Sequence, residues 1–471
     1  MNVALSEKDR KFREFALEGS MWKVIWKVCY PLAIYQSLNQ LFKILDTMMA
    51  SHIGASAVSA VAYLSQINMM ISAVGTGLAV GASIKVSQAY GAGDFMLVKK
   101  RVSTMFAMCG ALGIAILLVL VPFTPEFLRL MNTPEEFIAD GSTYFRLELF
   151  GMVITFFNNV YIAIERARGN SKRILILNTA VIVVKLGLTA WFVYGLGGGI
   201  NMISCATIIS QSLLLLAACI NMNQKGNAFG FSLRAISIKK EVICPMLTLS
   251  FPVIVERIAF AVGKVIVNSM STVYGSWTVG ALGISNNIGG ITTNPQNGFQ
   301  EGGSSIISQN LGAGRPKRAL LAFRWVLYID MLIGLVIMTA SLLCLNQLAG
   351  LFAGDNAEFA EMIKQIYRFE AVGAIPLGVN AAVMALLYGF GKTRVTLVMN
   401  FCRVFLFRVP VLWALQQFTD LGNVSAGIVM AVSNVASGVL AAVVCDTVFC
   451  LEYSRKFPKN QQLRCVLEII G

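Results

Sequence analysis

Ionisable side chains inside long apolar runs are costly and mark functional candidates, and two pairs of them stand out. Lys43 and Asp46 share one run near the start of the chain, and Glu256 and Lys264 share another just past its middle. An acid that faces a hydrated gap inside a membrane protein can take up and release a proton or a metal cation. Burial raises a carboxyl pKa and a nearby ammonium lowers it. Lys43 lies three residues from Asp46 on the same helical face. A salt bridge that fixes the first span is therefore one reading of Asp46, and a titrating coupling acid is the other. Glu256 has the same two readings, since the adjacent Arg257 points to a different face. Arg146, Glu148, Arg368 and Glu370 fall in the outer thirds of their runs, and Lys185, Asp330, Arg403 and Arg408 nearer the middle.

Amides are the second group. Gln36, Asn39 and Gln40 line one stretch of the first run, and Asn286 and Asn287 do so in the eighth. Such amides either join helices or line a hydrated cavity. With Asn158, Asn380, Lys43, Lys264 and Lys185 they form the candidate substrate cavity, while Asp46 and Glu256 are the candidate ion-coupling acids. Enzymatic chemistry has little to stand on. The one histidine, His52, cannot build a metal site alone, and most of the ten cysteines sit in apolar runs without a CxxC pair. The GAG turns at 91–93 and 312–314 follow no strand and carry no GxxxxGK[ST] pattern. No catalytic residue, metal site or cofactor is expected.

The elements that position these residues must be membrane helices. Of 471 residues 56% are hydrophobic and only 13% charged, about half the charge of a soluble domain. About a dozen runs reach the roughly 20 residues that a bilayer-crossing helix needs. They lie near 22–50, 56–87, 103–123, 142–166, 174–196, 202–222, 244–272, 279–309, 319–347, 363–389, 395–417 and 425–451. The net charge of +14 comes from basic loops, as at Lys99–Arg101, Lys172 and Arg173, and Arg315–Arg318, alternating with acidic ones. That asymmetry predicts cytoplasmic termini and an even number of spans; nucleic acid is not an expected partner, because no aromatic-basic motif or soluble domain carries one.

The stretch from Pro31 to Gly93 recurs, ungapped, from Pro252 to Gly314, an offset of 252 − 31 = 221. Lys43/Lys264, Gly77/Gly298, Gly81/Gly302, Gln88/Gln309 and both GAG turns fall in register, and Arg146/Arg368, Glu148/Glu370 and Asn158/Asn380 follow at 222. Two halves of six spans in the same orientation are parallel repeats. The expected fold is all-α integral membrane: twelve transmembrane helices in two six-helix lobes (6+6). The expected divisions are a cytoplasmic arm 1–21, an N-lobe 22–222, a linker 223–243, a C-lobe 244–452 and a cytoplasmic tail 453–471. The acids break the symmetry: Val267 stands opposite Asp46, and Tyr35 opposite Glu256.

The ordered set of DTMMASHIG at 46–54, the Gln-x-x-Gly-x-Gly turns at 88–93 and 309–314, and RGNSKRILILN at 168–178 resembles the multidrug and toxic compound extrusion (MATE) family across nearly the whole chain. The resemblance implies a V-shaped pair of lobes in the plasma membrane that exports a small molecule in exchange for H⁺ or Na⁺. It maps a coupling acid to Asp46 and a second to Glu256. An acid that some members carry in the tenth span is missing here, and Asn380 is the nearest polar residue. Lys43 and Lys264 suit an anionic or zwitterionic substrate at least as well as a cation. A monomer in the lipid bilayer is expected. A lipid-linked oligosaccharide or polysaccharide flippase of the same superfamily is the alternative.

Overall fold

A computed structural model describes the backbone of residues 5–50, 55–131, 133, 135–223, 227–354 and 356–456. Side chains are described for these residues except 43–50, 55–63, 66, 135–137, 139–140, 276 and 448–456. The described residues are helical, with no strand among them. This is what lipid requires of a chain that must satisfy its backbone hydrogen bonds within each span.

The N-lobe contains α2 (Met21–Ala50), α3 (Ala55–Ala92), α4 (Phe95–Leu120), the short α5 (Thr124–Leu130), α6 (Glu135–Ala167), α7 (Ser171–Ala190) and α8 (Ile200–Met222). The C-lobe repeats the order with α9 (Lys240–Ser271), α10 (Ser276–Gly312), α11 (Pro316–Leu343), a short α12 (Leu345–Ala353), α13 (Ala357–Val372), α14 (Ala374–Gly389), α15 (Thr393–Phe401), α16 (Val409–Phe418) and α17 (Val424–Lys456). By length and composition nine helical stretches among the described residues can cross a membrane, or ten if the bent pair α13–α14 is one span. Adding α2 and the polar, glycine-rich α10 completes two sets of six.

The lobes differ where the C-lobe has prolines. The run 363–389 reads as one continuous span, but the structure bends it by 47° between α13 and α14. Pro376 lacks the amide that would bond four residues back, and its ring clashes there; the N-lobe residue at the 222 offset is Ile154. Just past the bend, Gln296 Nε2 on α10 donates to the Ala374 carbonyl at 3.0 Å. The run 395–417 is likewise broken, by a π turn at Cys402–Leu406 just before Pro410. In the N-lobe the π turn comes at Trp191–Gly195, at the end of α7.

The repeated glycines explain the seam between the lobes. Gly77 and Gly81 of α3 lie so close to α9 that a Cβ would stand 2.7 Å from Ile254 and 2.3 Å from Ser250. Gly298 and Gly302 of α10 do the same against Ala33 and Cys29 of α2, at 2.5 and 2.6 Å. Small residues four apart let membrane helices approach at backbone distance. The two contacts even share a bond: Ser250 Oγ donates to the Leu78 carbonyl at 3.2 Å, and Cys29 Sγ, in register with it, donates to that of Phe299 at 3.8 Å. At the end of the seam a Cβ on Gly91 would stand 1.9 Å from the Gln309 carbonyl oxygen, and one on Gly312 would stand 2.0 Å from that of Gln88. Arg166 pairs with Glu301 across the same seam, and Gln309 Nε2 donates to the Ala167 carbonyl at 2.7 Å.

The arm contains a docked helix. In α1 (Glu7–Glu18) Asp9, Phe12, Ala16 and Leu17 are buried. Arg168 grips Asp9 through Nε at 3.0 Å and Nη2 at 2.9 Å, and also reaches Glu165 at 3.1 Å. Burial alone would push the Arg168 guanidinium down; Glu165 and Asp9 outweigh it and the net shift is upward. Arg13 donates to the carbonyls of Tyr90 and Gly91, which ties α1 to the N-lobe. From the C-lobe Arg315 donates to Leu17 and Arg318 to Gly19 at the far end of α1, at 2.5 and 2.8 Å. The helix thus straddles the closed end of the seam.

Candidate functional site

Glu256 lies on α9, one turn beyond Pro252, and is buried. Its Oε1 accepts from Tyr388 Oη at 2.7 Å and Asn400 Nδ2 at 2.8 Å, and its Oε2 from Thr396 Oγ1 at 2.7 Å. Tyr388 comes from α14, and Thr396 and Asn400 from successive turns of α15. All three donors are neutral, and among the described residues no ion pair reaches Glu256. Charging a carboxyl buried this way is costly, and Arg257, next to it in sequence, is a cation that acts on it. Two of its partners are hydroxyls, which can accept as well as donate and so can turn to suit a protonated acid. The same oxygens, with the Asn400 amide reversed, are hard ligands of the kind a Na⁺ ion takes.

The stripe of α9 that carries Glu256 continues through Phe260 to Lys264, at helical spacing of four. Lys264 is exposed, and its Nζ lies 5.3 Å from the Phe260 ring centroid. On the facing helix the stripe Thr396, Asn400, Arg403 runs alongside, and Arg403 Cζ lies 5.5 Å from the same ring. The coupling candidate and the basic residues thus occupy neighbouring turns of one helix pair.

The amides divide. Gln40 Nε2 on α2 donates to Asn287 Oδ1 on α10 at 3.1 Å, a bond between lobes. Gln36 and Asn39 are half-buried on the same helix. Asn286 donates to the Leu282 carbonyl within its own helix at 2.9 Å. Asn158 is buried, with its amide engaged by Gln211 at 2.9 and 2.8 Å, which places it in the α6–α8 contact rather than on a cavity wall. Asn380 and Lys185 are half-buried on α14 and α7. Lys43 and Asp46 occupy the outer turns of α2; their side chains lie outside the described residues, so the structure leaves that pair untouched. Sequence reasoning missed Tyr388, Thr396 and Asn400. The one available signal is the polar pair at i and i+4 on α15.

The MatE family model matches the chain twice, over residues 31–191 and 252–414, reproducing the two halves. The probable multidrug resistance protein YoeA of Bacillus subtilis is 23% identical over 410 residues, covering 85% of this chain and 88% of that protein. A solved MATE in complex with MaL6 superposes with a TM-score of 0.89 at 20% identity, over 96% of this chain and all of its own. A superfamily transporter from Pyrococcus furiosus, described as having a binding pocket of reverse polarity, superposes at 0.88 with 20% identity over 94% and 98%.

Proposed function

Because the chain belongs to the MATE family of multi-pass membrane transporters, we propose that it is an antiporter. It exports a small organic molecule across the plasma membrane in exchange for H⁺ or Na⁺, by alternating access and as a monomer. The observation that carries this reading is Glu256, buried against three neutral donors drawn from two other helices. A cation arriving there changes the local charge by one unit and changes which partners the carboxylate can keep. The change reaches α14 and α15 directly, and through them the bent and π-turned half of the C-lobe. An ion drives transport only through different affinities for two conformations, and a pocket shared by three helices supplies that difference when the helices part. The seam is closed at the end that bears α1 and the two GAG turns. With the basic loops cytoplasmic, that end faces inward and the conformation is outward-facing. Asp46 remains a second coupling candidate on the N-lobe side.

The test is transport in proteoliposomes under separately imposed H⁺ and Na⁺ gradients. Glu256→Gln keeps the shape and hydrogen-bonding capacity but cannot exchange charge. It is expected to fold as wild type and lose ion-driven transport. Wild-type rates in that variant under both gradients would sink the proposal.

A further inference from the structure

Arg403 and Arg408 lie five residues apart, little more than one helical turn. Arg403 Nη2 donates to Asn434 Oδ1 at 2.9 Å, and Arg408 Nη2 to that same oxygen at 3.3 Å. Arg408 Nε adds a bond to Ser433 Oγ at 3.1 Å. Both guanidiniums are therefore held by neutral groups, and one amide oxygen serves the pair. Arg408 is 4% exposed, and the buried Nε of Arg403 has no hydrogen-bond partner. The acid that bears on both is Glu370 of α13, but no ion pair within salt-bridge distance joins it to either. Glu370 bonds instead to Ser285 Oγ at 2.5 Å and feels Lys264 as well. Among the described residues, two guanidiniums held by neutral groups thus share the influence of one carboxylate, with no ion pair joining either to it.

The backbone explains how this arises in one lobe alone. Arg403 lies in the π turn before Pro410, where the helix widens and its register shifts. Single π turns inside helices recur at functional sites. The cluster also has a way in. Ser250 and Ile254 mark the face of α9 that touches the other lobe, and Lys264 falls on that face about 15 Å further along at 1.5 Å per residue. It lies beyond the glycine contacts and is exposed.

We propose that the C-lobe wall of the cleft binds the carboxylate of an organic anion, with Lys264 and Arg403 as the clamp, Arg408 as the supporting cation and Glu370 as the internal anion it competes with. A guanidinium and an ammonium suit a carboxylate through charge-assisted bonds, and the Phe260 ring between them offers an apolar surface for the body of the molecule. This deepens the antiport reading and rests on it. Glu256 lies one and two helical turns from Phe260 and Lys264, so the arriving cation and the departing anion act on the same α9–α15 pair. Export of the anion then follows from a rearrangement of two helices.

The test is equilibrium binding to the purified full-length protein, with carboxyfluorescein as the carboxylate probe and ethidium as the cationic one. Wild type is expected to bind carboxyfluorescein the more tightly, and less so as sodium chloride is raised. Arg403→Gln is expected to weaken carboxyfluorescein about tenfold or more, the loss of a charge-assisted contact, while Arg403→Lys keeps most of the affinity. Glu370→Gln removes the competing carboxylate and is expected to tighten binding several-fold, a gain that a misfolded protein cannot give. Tighter binding of ethidium by wild type, unchanged carboxyfluorescein binding in Arg403→Gln, or weaker binding in Glu370→Gln each overturns the proposal. The two readings fail separately. Ion-driven transport by Glu256→Gln at the wild-type rate counts against antiport alone, whereas absent dye binding with that difference intact counts against the anion site alone.

Discussion

Asp9→Ala should open the closed end of the transporter. Asp9 is 2% exposed and ties α1 to the N-lobe through two bonds from Arg168, at 3.0 and 2.9 Å. Breaking a buried ion pair costs about 3–5 kcal/mol. Glu165 stays 3.1 Å from Arg168, so the guanidinium is not left alone and the lower figure, about 3 kcal/mol, applies. If α1 holds the lobes together, that energy is lost from the closed state, and the open population rises about a hundredfold at 1.4 kcal/mol per factor of ten. The reporter is a cysteine at Ser87, which is buried on the seam with its hydroxyl 3.4 Å from that of Ser305. In a background without other cysteines, the maleimide labelling rate of Ser87→Cys tracks the open fraction. Asp9→Ala should raise it by up to two orders of magnitude. Arg315→Ala with Arg318→Ala, which frees the other end of α1, should act in the same direction. An unchanged labelling rate in Asp9→Ala, or a response to one end of α1 and not the other, would refute the role of α1 as a bridge.

Gly91→Ala places a methyl group 1.9 Å from the Gln309 carbonyl oxygen; overpacking of this kind costs about 1–3 kcal/mol or more, and Ser87→Cys labelling should again accelerate. Asn400→Ala removes one 2.8 Å donor from Glu256, worth about 1.5–3 kcal/mol for a bond to a charged group, and ion-driven transport should fall while thermal stability drops by no more than that. Asp330 is fully buried on α11, and neither carboxylate oxygen has a hydrogen-bond partner. Asp330→Asn should therefore melt no lower than wild type, and a loss above about 1 kcal/mol would reveal a contact that the carboxylate alone can make.

Span positions, the repeat and the glycine stripe are legible in the sequence because each is written in local composition or in a fixed offset. Gly77, Gly81, Gly298 and Gly302 stand out in register, and their shared purpose follows from the helix contacts they permit. Glu256 is legible for the same local reason, as an acid in an apolar run. Its partners are not, since Tyr388, Thr396 and Asn400 reach it over 132 to 144 residues of chain. Beyond the i and i+4 pair on α15, their own surroundings resemble those of ordinary helix-joining polar groups. The docking of the arm is hidden for a related reason. Asp9 and Phe12 look solvated in a stretch rich in charge, and only Arg168 and the open backbone of Gly169, where the Phe12 ring lies 2.0 Å from the site of a Cβ, give them an interior. Pro376 and Pro410 did carry the breaks in α13–α14 and α15–α16, but a proline in a membrane helix can kink, bulge or do little, depending on which neighbour takes up the freed carbonyl.

The paired contacts of Gly91 with Gln309 and Gly312 with Gln88 have the form of an isologous interface, in which one patch meets its own copy across a twofold axis. Two identical chains could make that contact without either being altered. Fusion into one chain removes the constraint that both copies stay alike, because a substitution in one half is no longer imposed on the other. The glycine contacts of the seam are alike on both sides, since each is the other's complement. The Glu256 pocket, Arg403 and Arg408, and the breaks at Pro376 and Pro410 lie in one half alone.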